Sequence, residues 1–152
     1  MKISLEVEET LSENEIIIRC NSSGEEIYAL MNTIQKSVAA SDNFVGYKED
    51  REYFLRLNDI LFFETEEGLL WAHTKNDMYS IRYKLYELEE LLPGFFMRVS
   101  KSTILNTHHI YSIGKNITST SLVQFRNSHK QVYVSRYYYK PLRLYLEERS
   151  LS

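Results

Sequence analysis

The chain has 152 residues, enough for one ordinary domain with an appendage, and its 43% hydrophobic content supplies a real core, which excludes disorder as the dominant state. A single cysteine, Cys20, excludes an internal disulfide and suits a reducing compartment. The net charge of −3 hides a segregation: residues 1–94 hold nine Lys/Arg against nineteen Asp/Glu, whereas residues 95–146 hold eight Lys/Arg and no acid.

In chain order, Ile3, Leu5 and Val7 alternate with polar residues and predict a strand; Ile16–Ile18 predicts a second, with a turn at Ser12-Glu13-Asn14. Ser22 and Glu25 fit a capping box, and Ile27, Leu30, Met31, Ile34 and Val38 follow at helical spacing. Residues 1–41 therefore read as a small β-β-α extension with one apolar helix face, which must pack on something or form a dimer contact. Ala39–Asn43 is the expected junction to a second unit, residues 42–152.

From there the pattern is one of short strands, predicted at 44–48, 52–57, 60–65, 69–74 and 78–83. Turn residues separate them at Glu49-Asp50, Asn58-Asp59, Glu66-Glu67-Gly68 and Lys75-Asn76-Asp77. Leu85, Leu88, Leu91 and Leu92 predict a short amphipathic helix stopped by Pro93-Gly94. Strands resume at 96–99, 111–113, 122–125 and 131–134. A last helix spans about 136–148, with Pro141 predicting a break in its middle. The region is mostly β with brief helices, so more than one sheet is expected rather than a helix-turn-helix.

The acid-free stretch is improbable by chance, since acids form about one residue in seven of the chain. It is the footprint of a phosphate-binding face, or of a basic surface that balances an acidic one within a monomer or dimer. Within it, Arg98 and Lys101 supply charge, while Ser100, Ser102, Thr103 and Asn106 are short groups suited to phosphate oxygens or to their own backbone. At Val134-Ser135-Arg136 a strand meets a helix start with Ser135 at the N-cap position. Helix N-termini attract anions, and an arginine there reaches a guanine edge or a phosphate.

Enzymatic readings are poor. His108-His109 are adjacent and have no acid near them in sequence, and Cys20 reads as a small hydrophobe. No glycine-rich phosphate loop is present, and Glu64, Glu66 and Glu67 read as a solvated hairpin. The chain is expected to be no enzyme and to use no metal, cofactor or small-molecule substrate.

Asp59-Ile60-Leu61-Phe62-Phe63-Glu64, Leu85–Leu92 leading into Phe96…Arg98-Val99-Ser100-Lys101-Ser102…Leu105-Asn106, Ile110…Ile113 and Val134-Ser135-Arg136-Tyr137-Tyr138 together resemble the LytTR DNA-binding domain over about residues 45–148. The order and spacing of these pieces carry the resemblance. It implies a mainly β fold with short helices, elongated and built of several small antiparallel sheets, whose loops enter successive major grooves of double-stranded DNA. It places base contacts at Lys101 and Arg136 and backbone contacts at Arg98, Ser100, Ser102, Lys115, Lys130, Tyr137 and Lys140. Asn106 falls where the family has a turn-stabilising residue. The third base-reading place is the hairpin at Thr65–Gly68; here it is short and carries two acids, a departure from the pattern. The resemblance further implies a free-standing, cytoplasmic regulator without a receiver domain, a homodimer on DNA, and control by a membrane-protein partner. The competing readings are a protein-interaction or ligand-sensing β-domain whose basic face meets an acidic partner, and a small-barrel binder of single-stranded RNA, which needs stacking aromatics on a strand face.

Overall fold

The computed structural model describes residues 1–12, 14–39, 43–115 and 120–150. The chain order is α1 (Glu25–Ala39), β1 (Asn43–Lys48), β2 (Arg51–Arg56), β3 (Phe62–Glu66), β4 (Leu69–His73), β5 (Met78–Ile81), α2 (Leu85–Leu91), β6 (Phe96–Arg98), β7 (Thr103–Asn106), β8 (Ile110–Lys115), β9 (Ser121–Phe125), β10 (Gln131–Val134) and α3 (Arg136–Ser150). The predicted junction at 39–43, and with it the boundary between the two expected units, lies largely outside the described residues.

The strands gather into two sheets. One has seven strands in the order β2-β1-β5-β4-β3-β7-β6; the other has three, β10-β9-β8; every strand pair is antiparallel. The run Ile60–Phe63 shows why. All four side chains are buried; Phe62 and Phe63, adjacent in β3, point to opposite sides of the sheet, while Ile60 and Leu61 lead into the strand from the short helical turn at 57–59. Ile60 and Phe63 enter a core closed by Leu85, Leu88 and Leu92 around α2. Leu61 and Phe62 enter a second core with Val123, Phe125, Val132 and Val134 of the small sheet and Leu142 of α3. Ile104 and Leu105 of β7 divide the same way. The centre of the large sheet is thus covered on both faces, which is what the apolar run at the start of β3 encodes. Phe62 stacks on Phe125 at 5.4 Å between ring centroids, joining the two sheets.

Four expectations from the sequence are corrected. The two N-terminal strands are not formed: no strand occurs among the described residues before α1, and Ile3, Leu5 and Val7 are 91%, 89% and 82% exposed. Alternation makes a strand only where an edge offers hydrogen bonds and a face offers burial, and these segments meet neither. Next, α1 begins at Glu25, with the Gly24 carbonyl accepting from Ile27 and Tyr28 N–H, both at 3.1 Å; Ser22 lies outside the helix and does not cap it. Third, Thr103–Asn106 lies outside the predicted strands yet forms β7; it is buried throughout and pairs with both β3 and β6. Last, α3 is continuous through Pro141. The missing N–H deprives the carbonyl of Tyr137, a residue 81% exposed and open to water, while fully buried Leu142 and the packed Tyr138, Tyr139 and Leu146 hold the inner face.

Candidate nucleic-acid interface

Residues 99–102 join β6 to β7 and, with Thr103 at the start of β7, form a closely braced loop of the acid-free segment. All five of their carbonyls are occupied. Val99 O accepts from Ser135 N–H at 2.8 Å, Ser100 O from Arg98 Nε at 2.7 Å, and Lys101 O from Arg98 Nη2. Ser102 O accepts from Thr65 N–H at 2.8 Å, and Thr103 O from Val99 N–H at 3.0 Å. The hydroxyls form a chain as well: Ser100 to Ser102 at 3.3 Å, Ser102 to Thr103 at 3.4 Å, and Thr103 to the Glu64 carboxylate at 3.2 Å. Val99 and Thr103 are buried, Ser100 and Ser102 half-buried, and Lys101 exposed. The loop therefore presents one side chain, Lys101, on a rigid base.

Two of these bonds tie the loop to the other predicted reading places. The Ser135 N–H bond holds it against the start of α3, where Arg136 and Tyr137 are exposed. Lys140, four residues on, lies on the same helix face as Arg136. The Thr65 N–H bond holds the β3–β4 hairpin, whose tip residues Glu67 and Gly68 have φ of 51° and 78°. Positive φ at both central positions is the tight two-residue turn that suits strand twist, and glycine takes its second position without strain. In the small sheet Lys115 of β8 is opposite Ser121 of β9, and Ser121 is opposite Val134 of β10. This register brings Lys115 to the end of the sheet where α3 begins. Lys101, Lys115, Arg136, Tyr137, Lys140 and the hairpin are thus gathered on one end of the molecule.

Two predicted contacts are placed differently. Arg98 spends three of its donors internally: the third, Nη1, pairs with Glu89 of α2 at 2.9 Å. Lys130 precedes β10 and Arg136 follows it, so they stand at opposite ends of that strand. Lys130 is half-buried; its Nζ lies 3.2 Å from His73 Nδ1 and donates to the Asp77 carbonyl. Nearby, Lys48 pairs with the Asp77 carboxylate, and Ser128 Oγ donates to Lys75 O at 2.9 Å. The Lys130 and Ser128 bonds clamp the β9–β10 hairpin onto the β4–β5 hairpin, and Lys48 of β1 braces the same turn. Burial pushes the His73 imidazole down to about 4, the Lys130 ammonium adding to the effect, and burial also lowers Lys130. A neutral His73 accepting at Nδ1 carries its proton on Nε2, which is buried without a partner and adjoins the stacked Phe62 ring at 4.2 Å between centroids.

Of the remaining cations of the acid-free segment, Arg143 pairs with Glu147 at 3.0 Å and Arg126 lies over the Tyr111 ring at 5.8 Å. Sequence reasoning missed Glu89 as the partner of Arg98, and His73 as the partner of Lys130; nothing local in sequence announces either. Asn106 is fully buried: Nδ2 donates to Ile60 O and Oδ1 accepts from His108 N–H, both at 3.0 Å, which makes it a brace for the turn after β7. Among the described residues no group of three His, Cys, Asp or Glu side chains is placed to hold a metal, and no helix is long and apolar enough to cross a membrane.

The LytTr DNA-binding domain family model matches residues 50–147. A solved LytTr DNA-binding domain of a putative methyl-accepting/DNA response regulator from Bacillus cereus superposes with a TM-score of 0.64 at 25% identity, covering 69% of this chain and 96% of that one. An uncharacterized HTH-type transcriptional regulator of Staphylococcus aureus strain NCTC 8325 is 26% identical over 143 residues, 94% of this chain and 96% of its own length. Its counterpart in strain MRSA252 is 25% identical over the same span. In the present chain strands separate every pair of successive helices, so no helix-turn-helix occurs among the described residues.

Proposed function

The chain belongs to the LytTr DNA-binding domain family, and from that premise we propose that it is a transcription regulator that reads a specific double-stranded sequence through loops at one end of the fold. The observation that carries this reading is the joined loop system. Lys101 and Arg136 stand on backbone segments hydrogen-bonded to each other through Val99 and Ser135, exposed side by side above a rigid base. Lysine or arginine on the O6 and N7 of guanine is a common major-groove contact, and such residues need fixed roots to discriminate. Lys115, Lys140 and the Tyr137 hydroxyl serve the phosphates, with Ser100 and Ser102 shaping the loop more than touching DNA. Arg98 and Lys130 are withdrawn from the phosphate set because their donors are engaged internally.

The same reading takes two copies on paired sites in the cytoplasm, with a membrane protein as regulator, a picture drawn from family resemblance. The test is selection from a randomised duplex pool, followed by titration of the selected and a scrambled duplex at several salt concentrations. Lys115 and Lys140 alone give a log–log salt slope of about −2, and all four exposed cations about −4. A slope near zero, or no enrichment of any duplex, overturns the reading. Sedimentation of the complex counts the copies.

A further inference from the structure

We propose that Arg98, tethered by Glu89, is the positioning residue that sets the specificity of the Lys101 loop, and that it does so without contacting DNA. The inference rests on the reading of Lys101 as a base contact.

A lysine is a poor reader when its root is mobile. Its four-carbon stem already carries much rotamer freedom, and each loose backbone torsion beneath it widens the range of bases it can reach. The loop at 99–103 removes the backbone part of that freedom by occupying five successive carbonyls. Three of the five bonds come from backbone N–H groups of β3, the β6–β7 junction and the start of α3. The other two, at Ser100 and at Lys101 itself, come from one guanidinium, that of Arg98. The planar fork of arginine suits this: Nε and Nη2 point the same way, and Nη1 remains for the Glu89 carboxylate at 2.9 Å. Glu89 is on α2, whose Leu88 is fully buried, so the fork is anchored to the core rather than to another loop.

The Arg98 side chain is about 20% exposed, against 42% for Glu89. A phosphate clamp has the opposite character, an unpaired and outward-facing cation. The pair also borders a cleft of about 450 Å³ lined by Tyr137, Tyr138 and Pro141 of α3. The guanidinium therefore sits between the root of Lys101 and the first turn that carries Arg136.

The experiment compares Arg98→Lys and Glu89→Gln with the unmodified chain on the duplex selected by that chain and on a scrambled duplex, with circular dichroism melting as the folding control. Arg98→Lys keeps the charge but cannot bridge two carbonyls and a carboxylate. Affinity for the selected duplex is expected to fall roughly 10-fold, with scrambled-duplex affinity changed less than about 2-fold and the salt slope unaltered. Glu89→Gln loosens the anchor and should lower the same ratio by a smaller factor. If Arg98→Lys retains the ratio, or if both duplexes weaken together in step with melting temperature, the inference is overturned. Tightening of Glu89→Gln on both duplexes alike, as a released phosphate-binding cation would give, also overturns it. Absence of discrimination by the unmodified chain instead sinks the underlying DNA reading, so the two failures are separable.

Discussion

The two ends of β10 carry cations of the same acid-free segment with opposite fates. At the end where α3 begins, Arg136 and Lys140 stand exposed, joined by Lys101 and Lys115 from neighbouring elements. At the other end Lys130 is half-buried and committed to His73 and the Asp77 carbonyl. The first end is free to meet an outside anion. The second clamps two hairpins and fixes how the small sheet sits on the large one. A lysine counts toward a binding face only after its internal partners are subtracted.

The sharpest break of this comparison is at the end proposed to read DNA. Arg136→Ala is expected to cost about 1–3 kcal/mol on the selected duplex and much less on a scrambled one, and Lys101→Ala the same, with stability barely altered in either. Titrating each variant against both duplexes checks it; equal losses on both would make Arg136 a phosphate contact.

At the clamping end the expected effect is on stability and depends on pH. The folded-state pKa of His73 is near 4 against an ordinary 6.5, so through that window the unfolded chain binds a proton that the folded chain refuses. Stability should fall as pH drops from 6.5 toward 4, by about 2 kcal/mol once the ring's partial exposure is allowed for. Urea melts across this range for the unmodified chain and for His73→Gln provide the measurement, and an equally steep loss in His73→Gln would sink the assignment.

Lys130→Met tests the same clamp with a smaller effect. It removes the donor to His73 Nδ1 and Asp77 O and should lower the unfolding free energy by about 1 kcal/mol, while affinity for either duplex stays within about 2-fold. A loss of DNA affinity without loss of stability would return Lys130 to the phosphate face.

The smallest effect is expected from removing the N-terminal extension. Among the described side chains of α1 none belongs to either hydrophobic core, and Tyr28 and Met31 are 59% and 39% exposed. A fragment starting at residue 43 should fold and retain discrimination between duplexes, as read by the same titration. A folded fragment without DNA binding at low salt would show that the extension belongs to the reading end.

The sequence by itself determined the elements that depend on near neighbours. Periodicity places the strands from β1 to β5 within a residue or two, the leucines of α2 mark its buried face, and Pro93-Gly94 stops it. The unbroken apolar Ile60–Phe63 run encodes burial on both sides of the sheet where β3 begins, and the two core clusters show both coverings. The candidate site was legible as a region, since Lys101, Arg136 and Lys140 lie in the acid-free block and are exposed. Tertiary structure alone decided the rest. Whether Ile3, Leu5 and Val7 make a strand depends on a pairing edge that no pattern guarantees. Whether Thr103–Asn106 is a turn or a central strand depends on β3 and β6 arriving on either side. Whether Arg98 and Lys130 serve DNA or the fold depends on Glu89, His73 and Asp77, partners supplied by other elements of the chain. Periodicity and capping act over about ten residues, whereas the worth of a charge is set by whatever the folded chain brings within a few ångströms of it.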